Sequence, residues 1–207
     1  MDYRQRITEE AAVMFRTYGI KAVTMDMLAH QLGISKRTIY EVFRNKDELL
    51  QGVMKLMIEK QREMTIKIFQ ESDNTIEAIF RLLDLMNDHF KRMSPAFQMD
   101  MKRLSGKIMR LKDSMHELHY SDSNSEILRR GIEEGVFRDD IDLDITNKCM
   151  LEVARISNDD DLFSHDDYLN KDVMRNFYVN YLRGISTQKG LELIDFYDKG
   201  GSRSKKD

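Results

Sequence analysis

The stretch Gly33-Ile34-Ser35-Lys36-Arg37-Thr38-Ile39-Tyr40-Glu41-Val42-Phe43-Arg44-Asn45-Lys46 decides the reading of this chain. Gly33 is suited to end a helix in the left-handed conformation, and Ser35 to cap the next one. Lys36, Arg37 and Thr38 follow the cap, with Tyr40 a turn further on, so the helix offers cations, a hydroxyl and a phenol to an anion. Ile39 and Phe43, four residues apart, anchor its other face. Upstream, Thr24 caps a segment in which Leu28 and Leu32 face the core and Ala29 permits close helix approach. Two short helices joined in this way form a helix-turn-helix, whose second helix enters the DNA major groove.

Working outward, residues 4–18 place Ile7, Ala11, Phe15 and Tyr18 on one helical face that stops at Gly19. Downstream, Asn45 caps a helix with Asp47 and Glu48 in its first turn, favourable at the positive end of the dipole. It runs through Leu49, Val53, Leu56, Met57 and Met64 to about Phe69 and ends in the polar break Glu71-Ser72-Asp73-Asn74. Ile76, Phe80, Leu83, Met86, Phe90 and Met93 mark the next helix, closed by Ser94-Pro95 because proline disfavours helical geometry before it. Leu104, Ile108, Leu111, Met115 and Leu118 form another stripe. The polar run Ser121-Asp122-Ser123-Asn124-Ser125 is expected to break or kink the chain before Ile127, Leu128 and Ile132. A loop is expected at Gly135 and Arg138-Asp139-Asp140. Two long helices follow, about 144–156 and 168–185, separated by Asn158-Asp159-Asp160-Asp161, with Gly184 expected to shorten the second. The glycine- and lysine-rich end from Lys199 to Lys206 reads as a flexible tail.

At 207 residues, with 41% hydrophobic and 33% charged residues and one proline, the composition suits a soluble, mostly helical protein. No apolar run approaches the ~20 residues needed to span a bilayer, and the first residues lack a secretory apolar core. A lone cysteine, Cys149, excludes a disulfide framework, so the expected location is the cytoplasm. The net charge is -3, but residues 1–46 carry eight Lys/Arg against five Asp/Glu, and the remainder carries 25 against 31. A basic reader on an acidic body fits a nucleic-acid partner, because phosphate affinity follows local charge.

Residues 7–50 resemble the DNA-binding domain of TetR (tetracycline-repressor-like) transcription regulators. The resemblance rests on Ile7-x3-Ala11-Ala12-x2-Phe15-x3-Gly19, then on Thr24-x3-Leu28-Ala29-x3-Gly33-Ile34-Ser35-x2-Thr38-Ile39-Tyr40-x2-Phe43-x2-Lys46-x2-Leu49. A second echo is Gly131-x3-Gly135-Val136-Phe137-Arg138-x2-Ile141-Asp142, similar to a segment that often precedes the family's dimerisation helices. Arg37 stands where a small residue is frequent, and Val42 where an aromatic or histidine is frequent. The resemblance implies an all-α homodimer: a three-helix helix-turn-helix domain (1–48), a helical effector-binding and dimerisation domain (49–200) and a short tail (201–207).

On that basis Lys36, Arg37 and Thr38 are expected in the groove, with Arg37 the base reader, and Thr24, Ser35, Tyr40 and Lys46 on phosphates. Helices 144–156 and 168–185 are expected to pair across the dimer through Cys149, Val153, Ile156, Met174, Phe177, Tyr178, Tyr181 and Leu182. Cys149, lying on an apolar stripe, reads as buried and inert. The 15 methionines allow an adaptable apolar cavity, though spacing identifies no effector-contacting residue.

Other chemistries find no support in the spacing. His116 and His119 lie three apart, not the four of a zinc-protease helix, and His30, His89 and His165 are isolated. The acidic cluster Asp159-Asp160-Asp161 with Asp166-Asp167 lacks the glycine and spacing of a calcium loop. Gly106-Lys107 has neither the upstream glycine nor the following hydroxyl of a phosphate loop. The expectation is therefore no enzyme, metal or cofactor, but a ligand-responsive DNA-binding regulator, a repressor by resemblance. It would bind a palindromic operator as a homodimer and be released by a small apolar or amphipathic effector. The alternative is a small-molecule-binding helical protein with a degenerate DNA reader.

Overall fold

A computed structural model describes residues 2–104, 120–156, 162–163 and 170–201. Among them the chain is all helical: α1 (Tyr3–Tyr18), α2 (Met25–Leu32), α3 (Lys36–Val42), α4 (Lys46–Glu71), α5 (Thr75–Lys91), α6 (Pro95–Arg103), α7 (Tyr120–Glu133), α8 (Leu143–Ile156), α9 (Asn170–Ile185) and α10 (Gln188–Asp198). No helix among the described residues is long and apolar enough to cross a membrane. The stripe from Ile108 to Leu118, Gly106-Lys107, His116 and His119, the acidic loop 158–161, the segment 165–168 and the end of the tail (202–207) lie outside the described residues.

The chain divides into two compact units, Met1–Lys67 with Asp88–Met115, and Ile68–Asn87 with His116–Asp207. The first unit is built on the face anticipated for α1: Ile7, Ala11 and Phe15 are fully buried beside Leu28, Ile39 and Phe43. Full burial of the isoleucine, leucine and phenylalanine side chains contributes roughly 1.5–3 kcal/mol each. Tyr18 departs from that face and is exposed, because the chain leaves the helix at Gly19. Leu49, Leu50, Val53 and Met54 of α4 and Phe97 of α6 share this core, so its packing continues past residue 48. Helix α6 is an element the spacing did not reveal. Ser94 caps it, accepting from Phe97 N–H at 3.2 Å with Pro95 in the first turn, so the pair expected to close α5 also opens α6. Proline is favoured at that position because the first N–H groups of a helix have no intrahelical partner.

The second unit buries Ile76, Ile79 and Phe80 of α5 against Leu128, Val136, Phe137, Leu182 and Ile194. Asn74 caps α5, accepting from Glu77 N–H at 2.9 Å, while the Glu77 carboxylate accepts from Asp73 N–H at 3.0 Å. Arg130 in the last turn of α7 and Glu134 just past its end, paired at 2.6 Å, hold the corner between α4 and α5. The guanidinium donates to Phe69 and Ser72 carbonyls at the end of α4, and the carboxylate accepts from Thr75 N–H at the start of α5. Each charge lies at the helix end whose dipole it complements.

Two expectations are corrected here, and one helix is added. Residues 121–125 are helical within α7 rather than a break: Asn147 of α8 donates to Ser125 Oγ at 3.4 Å, and packing of the two helices overrides the polar composition. Gly184 does not shorten α9, which runs to Ile185; burial of Leu182 and Ile185 offsets the ~1 kcal/mol that a helical glycine costs. Thr187, accepting from Gly190 N–H at 3.3 Å, caps α10, a helix missing from the sequence reading. In the echo segment, Gly131 lies so close to Phe137 that an added Cβ would stand 2.1 Å from its ring, and Gly135 takes φ 68°.

Candidate nucleic-acid interface

The reader forms because its caps are satisfied locally. Thr24 Oγ1 accepts from Met27 N–H at 3.1 Å at the start of α2, and Ser35 Oγ accepts from Thr38 N–H at 3.1 Å at the start of α3. Gly33 sits between them at φ 65°, ψ 32°, with its N–H returned to the end of α2. This left-handed residue lets two helices meet within so short a turn. Ile39 and Phe43 are fully buried, which leaves Ser35, Lys36, Arg37 and Tyr40 exposed and Thr38 half-buried beside Ser35, their hydroxyls 2.9 Å apart.

The cations on this surface differ in restraint. Lys36 Nζ pairs with Asp26 at 2.7 Å, and that hydrogen bond and charge raise its pKa. Arg37, whose side chain is 87% exposed, makes a 3.1 Å i,i+4 contact with Glu41. An exposed pair of that kind is worth at most ~0.5 kcal/mol, so Arg37 is readily released to another partner. Lys46 is placed differently from an outward-facing phosphate contact. Its half-buried ammonium donates to the carbonyls of Val23 and Lys21, the latter at 3.3 Å, and lies 6.0 Å from the Phe15 ring. Burial lowers its pKa, opposed by the charges of Asp100 and Asp47.

Two further arginines, counted at first only as positive charge, act within the fold. Arg6 donates to Leu32 O at 2.9 Å, and Arg4 donates to Val42 O at 3.1 Å while lying 4.5 Å from the Phe43 ring. They tie α1 to the carboxyl ends of α2 and α3. Part of the basic excess of residues 1–46 thus holds the reader together. Val42, where an aromatic or histidine is frequent, is half-buried against the same core.

Residues 7–53, which include this reader, match the family described as "Bacterial regulatory proteins, tetR family". Residues 7–53 are a tetR-family DNA-binding region. It is 29% identical over 93 residues to YhgD of Bacillus subtilis, an uncharacterised regulator, a match that spans 43% of this chain and about half (49%) of that protein. It is 26% identical over 165 residues to the transcriptional repressor KstR2 of Mycobacterium tuberculosis, covering 74% of this chain and 78% of KstR2. The solved structure of that ketosteroid regulator superposes with a TM-score of 0.52 at 22% identity, over 90% of this chain and 96% of that one. Thermus thermophilus FadR in complex with lauroyl-CoA superposes with a TM-score of 0.62 at 19% identity, over 89% and 96%. At those identities the superpositions establish the fold: an N-terminal helix-turn-helix followed by a helical C-terminal part.

The residues expected at a tetR-family dimer face lie in the second unit and are distributed unevenly. Cys149 is exposed, which corrects its reading as buried. Helix α8 buries Thr146, Asn147 and Met150 instead, so the stripe beginning with Ile145 turns outward, with Ile145 60% and Ile156 37% exposed. The Val153 side chain lies outside the described residues. On α9 Phe177 is 41% exposed, whereas Met174, Tyr178 and Tyr181 are half-buried. Tyr181 donates its hydroxyl to Thr146 O at 3.1 Å, and burial raises its pKa. Leu182 is fully buried in the chain's own core and supports α9 from behind.

Proposed function

We propose that the chain is a ligand-responsive transcription regulator, a repressor that binds a palindromic operator as a homodimer in the cytoplasm and is released by a small amphipathic effector. The observation that carries this reading is the Ser35-capped α3, buried through Ile39 and Phe43, with Lys36, Arg37 and Tyr40 facing outward. Lys36, Arg37 and Thr38 face the major groove, with Arg37 reading guanine; Thr24, Ser35 and Tyr40 set register on phosphates. The sequence pattern also nominates Lys46 for a phosphate, although its ammonium is given to carbonyls.

The dimer forms through α8 and α9, using the apolar stripe of Ile145, Cys149, Val153 and Ile156 together with Met174, Phe177, Tyr178 and Tyr181. Exposure of Ile145 and Phe177 supports this face, since large apolar side chains in a row are uncommon on solvated surfaces. A symmetric pair would then set two copies of α3 roughly 34–36 Å apart, one turn of B-DNA. The names of two relatives, a ketosteroid regulator and a lauroyl-CoA complex, support an amphipathic effector. Helix α4 begins at Lys46 beside the reader and continues into the second unit, giving effector binding a covalent route to α3. The coupling would be on the order of 1–3 kcal/mol between two dimer geometries.

The test is selection of duplexes from random DNA by the purified chain, followed by titration at several salt concentrations with and without candidate acyl-CoA and steroid ligands. A palindromic consensus, steep salt dependence and ligand-induced release are expected. Binding of ligand with no sequence-dependent DNA binding would refute the regulator reading.

A further inference from the structure

The turn between α1 and α2 is gripped by opposite charges on its two sides. Lys21 N–H donates to Asp100 Oδ2 of α6 at 2.8 Å, and Lys21 O accepts from Lys46 Nζ of α4 at 3.3 Å. The same ammonium donates to Val23 O, one residue before the Thr24 cap. Asp100 is only 5% exposed, and a carboxylate so enclosed needs hydrogen-bond donors and a counter-charge. Helix α6 reaches the turn because residue 19 is glycine: at its φ of 89° an added Cβ would stand 3.0 Å from Ala96 Cβ and 3.1 Å from Asp100 Oδ2. Ser94 N–H, donating to Arg16 O at 3.0 Å, fastens the start of α6 to the end of α1.

We propose that Lys46 and Asp100 form a charge clamp on the α1–α2 turn, making Asp100 a positioning residue for the DNA-contacting surface and removing Lys46 from the set of phosphate contacts. This rests on the reading of α2 and α3 as a DNA reader. The clamp fixes residues 21–23 and therefore the direction in which Thr24 starts α2. The carboxylate acts from α6, a helix remote in sequence from the reader. The charge of Asp100 also opposes the effect of burial on Lys46, as expected for two groups that sense each other across the turn.

The experiment measures DNA affinity across a salt series for the full chain and for Lys46→Met, Asp100→Asn and the double variant, on the duplex selected by the wild type. A clamp predicts that Lys46→Met loses affinity on the order of tenfold with the salt slope unchanged. Asp100→Asn should lose affinity too, even though it deletes a negative charge, and the double variant should lose no more than the worse single one. A direct phosphate contact predicts the opposite: a slope shallower by about 0.9 for Lys46→Met, with Asp100→Asn binding as well as or better than wild type. That pattern, or simple additivity, would overturn the clamp. Where a single variant fails to fold, the double variant, which leaves no unpaired buried charge, decides: wild-type affinity with a wild-type slope refutes the clamp. Amide exchange at Lys21 supplies a readout independent of DNA. It should quicken in Asp100→Ala and not in an Asp47→Ala control, and equal rates would refute the clamp. A wild-type chain that selects no DNA would sink the regulator reading instead, leaving the clamp to be judged on exchange alone.

Discussion

Replacing Arg37 by alanine tests the base-reading role most directly. In the free protein its guanidinium is engaged by Glu41 at 3.1 Å, with side chains 87% and 61% exposed. Giving up that pair costs at most ~0.5 kcal/mol, whereas a bidentate contact to guanine O6 and N7 contributes roughly 1–3 kcal/mol. The net gain is therefore about 0.5–2.5 kcal/mol per half-site and about 1–5 kcal/mol for a two-fold operator. Arg37→Ala should lower affinity for the selected duplex by about fivefold to a few thousandfold, converting that range at 1.4 kcal/mol per decade. On unrelated duplexes the loss should be small, and folding stability should stay within ~0.5 kcal/mol, because the side chain is largely exposed and its one ion pair is a surface i,i+4 contact. Fluorescence anisotropy on the selected duplex, on single-base variants and on unrelated duplexes, repeated across a salt series, reads both affinity losses and the salt slope. Glu41→Gln supplies the converse: relieved of its partner, Arg37 should bind the preferred sequence up to a few-fold more tightly. An equal loss on every duplex, accompanied by a shallower salt slope, would show Arg37 to be a phosphate contact and refute this reasoning.

Arg130→Met should lower stability by about 2–4 kcal/mol, since it strips the cap from the end of α4 and leaves the Glu134 charge half-buried; urea unfolding with an unchanged m-value would measure it. Phe177→Glu, on an outward face of α9, should give monomers in sedimentation analysis that bind the operator more than tenfold more weakly, and an intact dimer would move the interface elsewhere. Glu48 accepts from Arg44 N–H at 2.8 Å and pairs with Arg4, interactions that hold its carboxyl below the ordinary range. Its contribution is present above the pKa of the unfolded chain and lost as pH falls through the lower folded value. Glu48→Gln should therefore be less stable than wild type at about pH 7 and equal to it at about pH 3 in urea titrations.

The helices of the reader were legible in the sequence because what makes them is local. A serine oxygen reaches an amide three residues on, a glycine accepts a left-handed turn, and apolar residues recur every three or four positions; each depends on neighbours along the chain. Thus α1 to α3, Gly33 between its caps and the buried pair Ile39 and Phe43 could all be read directly. The start of α4 behind Asn45 was equally legible. Helix α10 carries the same kind of signal, in Thr187 ahead of Leu191 and Ile194.

What spacing could not decide is which of several faces a helix buries and what a charged group meets after the chain has folded. Helix α8 carries an apolar stripe through Cys149 yet buries a different, partly polar face through Thr146, Asn147 and Met150, because its neighbours in space select the face. Lys46 read as a phosphate contact from its place in a motif, yet its ammonium is taken up by carbonyls of the α1–α2 turn. Asp100, unremarkable in sequence, becomes a buried partner of Lys21 through a contact 79 positions away. By itself the sequence determined the helices, their caps and the presence of a DNA reader. Tertiary structure decided which charges stay on the exposed face of α3 and which are taken up within the helix-turn-helix unit, since desolvation and pairing are properties of the packed chain.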